Sequence, residues 1–261
     1  IGIDLRAPPT IKHVPSVLPP RWAKVNSFDI QWDENPPDLS GIGGVYYSFA
    51  EPSSPTDGTL ILGGDIMSIH VVVPEELGDG AHDIYIWLRD GAGNSNHLTR
   101  RVVTLRLDRN PPGVPVLDVQ GRPCETSDWY NSPITVTFVV TDDLSGMANG
   151  VISYHVLGAT GWIASNTYFE SRDGRYTIEC RAEDAAGNVG DIVTNVLKID
   201  QTAPGAPMYP TVDPNDWSSE NLFAVSWLNP GDLSGLGGVY YKQGAIPTSP
   251  TDGIYVEGSR R

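Results

Sequence analysis

No stretch of this 261-residue chain approaches the roughly 18 consecutive apolar residues that cross a bilayer, and the opening residues IGIDLRAPP lack the basic and apolar regions of a secretory leader. A secreted form would carry its leader outside these residues. Basic side chains are scarce, with 17 Lys and Arg against 32 Asp and Glu and a net charge of −15. Such a chain repels phosphate backbones and anionic lipid, which argues against nucleic acid and membrane insertion and suits divalent cations. Helix-favouring runs of Ala, Leu, Glu and Lys are missing, while 28 Gly and 22 Pro point to strands and turns. Catalytic signatures are absent as well. The histidines His13, His70, His82, His97 and His155 show no H-E-x-x-H spacing, and no cysteine pair is spaced for zinc. There is no G-x-S-x-G elbow, phosphate-cradling loop or dinucleotide fingerprint. Adjacent carboxylates such as Asp33/Glu34 and Glu75/Glu76 face opposite ways on a strand and cannot flank one bond. No enzyme is expected.

What is present is a repeat. DGAHDIYIWLRDGAGN (Asp79 to Asn94) aligns without a gap on DGRYTIECRAEDAAGN (Asp173 to Asn188), 94 positions further on. A Trp followed by alternating apolar residues precedes an acidic turn three times. The sets are Trp22 with Phe28, Ile30 and Trp32; Trp129 with Ile134, Val136 and Phe138; and Trp217 with Phe223, Val225 and Trp227. The turns are PDLSGI, DDLSGM and GDLSGL, at Asp38, Asp143 and Asp232. LRLDRNPPGVP matches LKIDQTAPGAP, and the opening IGIDLRAPP has the same form. The expected division is residues 1–7 as the last strand of a preceding repeat, 8–110 as repeat one, 111–202 as repeat two and 203–261 as the first part of an incomplete repeat three. Half a sandwich exposes strand edges and an apolar face, so repeat three is expected to be completed by further residues of its own protein or by a neighbouring chain.

Alternation of period two fills each repeat: in RYTIECRAED, Tyr176, Ile178 and Cys180 share one face and Thr177, Glu179 and Arg181 the other. About seven such runs per repeat predict an all-β fold of tandem immunoglobulin-like antiparallel β-sandwiches, two complete and one truncated. The proline-rich joints DRNPPGVP and DQTAPGAP read as semi-extended spacers, predicting a stiff array. On these residues the chain resembles the bacterial immunoglobulin-like, fibronectin-III-like tandem repeats of secreted and cell-surface proteins. The resemblance implies an extracellular or cell-surface setting and leaves function open among stalks, adhesive domains and hydrolase appendages. Repeat one departs from the pattern with His82 in the place of Tyr176, which puts its corner hydrogen bond in question.

In DLSG the Asp bonds a main-chain N–H two residues on while the Gly takes positive φ, a sharp exit from a strand. The Asp90/Asn94 and Asp184/Asn188 pairs likewise read first as closing turns of hairpins. The alternative is Ca²⁺, which takes six to eight oxygens, with Asp38, Asp90, Asp108, Asp143, Asp184, Asp200 and Asp232 as candidate ligands. The resemblance to calcium-dependent adhesins allows ions at domain junctions. Cys124 lies five residues before Trp129, where the flanking repeats have Val17 and Val212, and Cys180 aligns with Ile86. Two inward cysteines in one extracellular domain predict a disulfide closing a loop of about 55 residues, worth about 3–4 kcal/mol; the alternative is two separate buried thiols. The recurring tryptophans read as core. Trp87, aligned with outward Arg181, and Trp162, in LGATGWIAS, are candidates for exposed contact with a glycan or a surface protein.

The reading these residues favour is a non-catalytic structural or adhesive segment (stalk, surface layer or filament) whose partners are neighbouring repeats or other copies. The competing reading is an accessory, glycan-binding module of a secreted hydrolase.

Overall fold

The period-two alternation folds as read, into β-strands, most of which in the first two units bury one face. The computed structural model describes residues 2–125, 127–147 and 151–258; Ile1, Thr126, 148–150 and 259–261 lie outside the described residues. Among the described residues there is no α-helix, only 3-10 turns at Glu75–Leu77 and His97–Thr99, and no helix long and apolar enough to cross a membrane.

The first unit contains β1 (Ser16–Leu18), β2 (Phe28–Gln31), β3 (Ile42–Ser48), β4 (Thr59–Leu62), β5 (Ser68–Val71), β6 (Gly80–Asp90) and β7 (Arg101–Leu107). They form antiparallel sheets of order β1-β2-β5 and β4-β3-β6-β7. Register sets which face is buried: Val17 pairs with Ile30 and Ile30 with Ile69 in one sheet, and Val45 pairs with Leu88 and Ile84 with Val103 in the other. Phe28, Ile30, Ile84 and Ile86 are fully buried between the sheets. Each such side chain stabilises the sandwich by roughly 1.5–3 kcal/mol.

The second unit repeats this plan with β8 (Val116–Gln120), β9 (Ile134–Val139), β10 (Val151–Val156), β11 (Ile163–Ala164), β12 (Thr167–Glu170), β13 (Gly174–Glu183) and β14 (Val193–Ile199). Its sheets are β12-β9-β8 and β11-β10-β13-β14, around a core of Ile134, Val136, Phe138, Ile178 and Ile199. In both units the fourth strand pairs with the third, in the sheet opposite the one a constant-type immunoglobulin domain uses. The protein is thus an all-β tandem of immunoglobulin-like sandwiches, its first two units each pairing a three-stranded with a four-stranded sheet. The third unit has β15 (Met208–Asp213) paired with β16 (Ala224–Leu228), and β17 (Gly238–Tyr241) paired with β18 (Ile254–Glu257). Phe223, Val225 and Trp227, counterparts of core residues in the other units, are 36–56% exposed, and Trp217 is fully exposed. Among the described residues of this unit, two two-stranded ribbons leave the same alternation with no buried side chain.

Corner bonds recur with different chemistry. Tyr176 donates its hydroxyl to the Arg172 carbonyl at 2.9 Å, and His82 in the same place reaches the Gly78 carbonyl at 3.0 Å through Nε2. The substitution therefore keeps the contact, since either ring spans four residues back to a carbonyl.

No disulfide joins Cys124 to Cys180, which corrects the expected bridge. The strand register gives the reason. Val17 faces Ile30, and its counterpart facing Val136 is Val119, so the connection from β8 to β9 is longer than that from β1 to β2 and counting back from Trp129 misplaces Cys124. Cys124 lies beyond the end of β8, half-buried, while Cys180 is buried on β13 of the other sheet, where burial pushes its thiol up to about 11.

Glu170 occupies the inward position held by Val71 in the first unit, facing Ile134 as Val71 faces Phe28. Its carboxylate is nearly buried and accepts from the Tyr168 hydroxyl (3.0 Å), the Ser171 and Arg172 N–H groups (both 3.0 Å) and the Arg172 guanidinium (3.0 and 3.1 Å). The Arg172 side chain holds it down to about 2, against the opposing effect of burial. A depressed carboxylate adds stability that is complete above its unfolded value near 4.5 and is lost as pH falls through about 2. The increment is on the order of 2–3 kcal/mol, discounted because Arg172 is largely in water. Thermal melts from pH 5 to pH 2 should therefore show a steeper loss for the native chain than for Glu170→Gln; parallel curves would contradict this assignment.

Candidate functional site

Most of the carboxylates singled out in sequence lie where one sandwich ends and the next begins. Asp108 follows β7 directly and is fully buried. Its Oδ1 accepts from Asn110 N at 3.1 Å, its Oδ2 accepts from Ser145 N at 3.0 Å, and its carbonyl accepts from Asn188 Nδ2 at 2.9 Å. The last two donors belong to the acidic turn and the DAAGN turn of the second unit. The same pattern holds upstream, where Asp4 Oδ2 accepts from Ser40 N (3.2 Å) and Asp4 O from Asn94 Nδ2 (3.0 Å). Downstream, Asp200 Oδ2 accepts from Ser234 N at 2.8 Å. The next linker residue is tied back to the sandwich it leaves: Arg109 N donates to Asp79 (2.9 Å) and Gln201 N to Asp173 (2.8 Å). Lys24 adds a contact across the joint, donating to the Gly187 carbonyl at 2.8 Å.

The acidic turns have the local chemistry read from DLSG. Gly41, Gly146 and Gly235 take φ of 74°, 72° and 86°. Asp38 and Asp232 accept the N–H two residues on, from Ser40 and Ser234, both at 3.1 Å. The second unit differs by one residue. There Asp142, not Asp143, accepts from Leu144 N (3.1 Å) and Gly146 N (2.7 Å), and Asp143 is left exposed on the wall of an adjacent cleft of about 360 Å³. The closing turns are as expected: Asn94 and Asn188 each donate their main-chain N–H to Oδ1 and their amide to Oδ2 of Asp90 and Asp184, at 2.7–2.8 Å.

Among the described residues two groups of three carboxylates result, Asp4/Asp38/Asp90 and Asp108/Asp142/Asp184, each offering three oxygens within 4.8 Å of one another. Oxygens that share an ion at about 2.4 Å lie no further apart than this, so each group can supply half of a calcium shell. Three like charges at such range repel by about 3 kcal/mol per pair at an effective dielectric of 20. The N–H donors offset part of that. Oδ2 of Asp38 and of Asp142 accept no hydrogen bond from the described residues and are the oxygens best placed to ligate. Of the seven candidate ligands, the structure brings together Asp38 with Asp90 and Asp108 with Asp184; Asp200 and Asp232 meet through Ser234, and Asp143 stands aside. Sequence reasoning missed Asp4 and Asp142. Asp4 was findable, since IGID ends as LRLD and LKID do; the choice of Asp142 within an Asp-Asp doublet depends on the path of the backbone.

The two candidate contact tryptophans part company. Trp87 is fully buried, which corrects its expected exposure. Although it points out of its sheet, the connection 49–58 folds over it: its indole N–H donates to the Pro55 carbonyl at 2.9 Å, and Tyr46 stacks on it at 5.4 Å and 10°. Asp57 fastens that loop by accepting the N–H and hydroxyl of Ser53, both at 2.8 Å. The Ser53 N–H holds its carboxyl below the usual range. Trp162 is half-buried, with the Arg181 guanidinium 4.3 Å from its ring centre.

No family model and no curated protein matches the chain. Among solved structures it is similar to the fibronectin(III)-like modules of Clostridium thermocellum CbhA (10% identity, 69% of this chain and 87% of that one, TM-score 0.33). It is also similar to the FN1-FN3 domains of chicken CNTN1 (16% identity, 89% and 77%, TM-score 0.28).

Trp87→Ala should destabilise the first sandwich by about 3–5 kcal/mol, as for a buried aromatic, whereas Trp162→Ala should shift the melt far less. Equal small shifts in chemical denaturation would show that the loop does not cover Trp87.

Proposed function

We propose that this chain is a non-catalytic structural or adhesive segment of a larger bacterial extracellular or cell-surface protein, of the immunoglobulin-like tandem-repeat kind. The units would span residues 8–110 and 111–202, with a third beginning at 203. The observation that carries this reading is the joint. Asp108 and Asp200, each leaving one sandwich, are bonded to the DLSG turn of the next unit at Ser145 and Ser234, and Asp4 is bonded in the same way to Ser40. A joint tied on both sides transmits direction from one sandwich to the next, which suits a stalk, surface layer or filament. A glycan-binding accessory role loses one of its two aromatic contacts with Trp87 buried, and Arg181 already covers one face of the other.

Calcium at the two triads deepens the same reading, since a divalent ion would neutralise the carboxylates and lock the linker in place. The site suits calcium better than magnesium, whose shorter bonds demand a near-ideal octahedron.

Small-angle scattering of the chain should give an elongated particle, with a radius of gyration well above the about 18 Å of one globule of this length. A value near that figure would remove the proposal. Calcium at about a hundred times its dissociation constant should stabilise each occupied joint by about 2.7 kcal/mol, read as a rise in Tm over a chelator-treated sample. Asp38→Asn with Asp142→Asn should keep the turns, whose Oδ1 atoms do the capping, and lose the calcium response. An unchanged Tm in the native chain would dismiss the ion and leave the structural reading standing.

A further inference from the structure

Outside the joints, one group of side chains has no place in the reading above: His155, Glu179, Arg181 and Trp162 on the outward face of the second sandwich. His155 Nδ1 lies 3.2 Å from Glu179 Oε2, and its Nε2 lies 3.1 Å from the Ala159 carbonyl oxygen. Both partners are acceptors only, a carboxylate and a carbonyl. A neutral imidazole has a single N–H, so either tautomer turns a lone pair toward an oxygen; only the imidazolium satisfies both contacts.

We infer that His155 is a proton-operated clamp, holding the loop 157–162 against the β10–β13 sheet face while the ring is charged and releasing it when the ring is neutral.

The two contacts are unequal in strength of support. Glu179 stands on β13, which is paired on both sides by β10 and β14. Ala159 stands in a six-residue loop whose Gly158 and Gly161 take φ of 95° and 78°, held otherwise by Ala159 N to Val156 O, Leu157 N to Thr177 O, and Trp162 over Arg181. On loss of the proton the loop is the side that yields. Trp162 rides on it, its ring 5.9 Å from that of His155, so the tryptophan reports the state of the clamp.

The charged groups facing the ring are few. β13 presents Glu179 and Arg181, and the guanidinium is engaged by Trp162; the loop Leu157–Trp162 and β11 bring no ionisable side chain; Tyr154, the ionisable neighbour on β10, packs in the core. Glu179 first, and the Ala159 carbonyl second, push His155 above its ordinary value near 6.5. With a raised folded value, the contribution is complete below pH 6.5 and is lost as pH rises through the folded midpoint.

The test is an NMR titration of the full chain from pH 5 to 9, following the His155 ring protons and the Trp162 indole N–H, the latter assigned with Trp162→Phe. The expected result is a His155 midpoint above 6.5, a Trp162 resonance that moves with the same midpoint, a lower shared midpoint in Glu179→Gln, and a flat Trp162 resonance in His155→Gln. A midpoint at or below 6.5, a Trp162 resonance indifferent to the His155 titration, or an unchanged Trp162 transition in His155→Gln would overturn the clamp.

Discussion

A carboxylate placed wholly out of water must be met by donors or by a cation, because desolvating it otherwise costs several kcal/mol. Asp108 is such a group, and its requirement organises the joint. One oxygen is satisfied within the linker by Asn110, but the other is satisfied by Ser145 of the following sandwich. Neither sandwich supplies both donors. The acidic turns of the second and third units are therefore receptors for the end of the preceding unit, with Ser145 N–H on Asp108 and Ser234 N–H on Asp200.

The closing turns serve the same end from the other side. Asn188 spends its main-chain N–H and one amide hydrogen on Asp184, and donates also to the Asp108 carbonyl. Two turns far apart in the second unit thus meet on one linker residue, and three carboxylates come within a few ångströms of each other. Their mutual repulsion is offset in part by the N–H donors of the two turns, and the linker's attachment to Asp79 ties the same joint to the sandwich it leaves.

Away from the joints, the two complete units solve one problem in two ways. The outward centre of the four-stranded sheet holds Trp87 in the first and Arg181 in the second. A ten-residue connection can fold over a tryptophan and bury it; a six-residue one cannot, and instead lays Trp162 across a guanidinium. The face of the sandwich is thereby dry in one unit and responsive to protonation of His155 in the other.

Much of this was legible in the residues alone. Alternation along RYTIECRAED determined strands and their inward faces, since a half-buried strand admits no other period. The repeated DLSG and DGAGN determined turns, because Asp and Gly carry that chemistry locally. What the chain could not declare were relations between residues distant in sequence. Whether Trp87 is covered depends on where residues 49–58 settle; whether Cys124 meets Cys180 depends on the length of the connection after β8; and whether Asp142 or Asp143 joins Asp108 depends on a one-residue shift of the backbone. Local propensity is written in neighbouring side chains, whereas burial and pairing are set by the packing of sheets and loops that only the tertiary structure brings into contact.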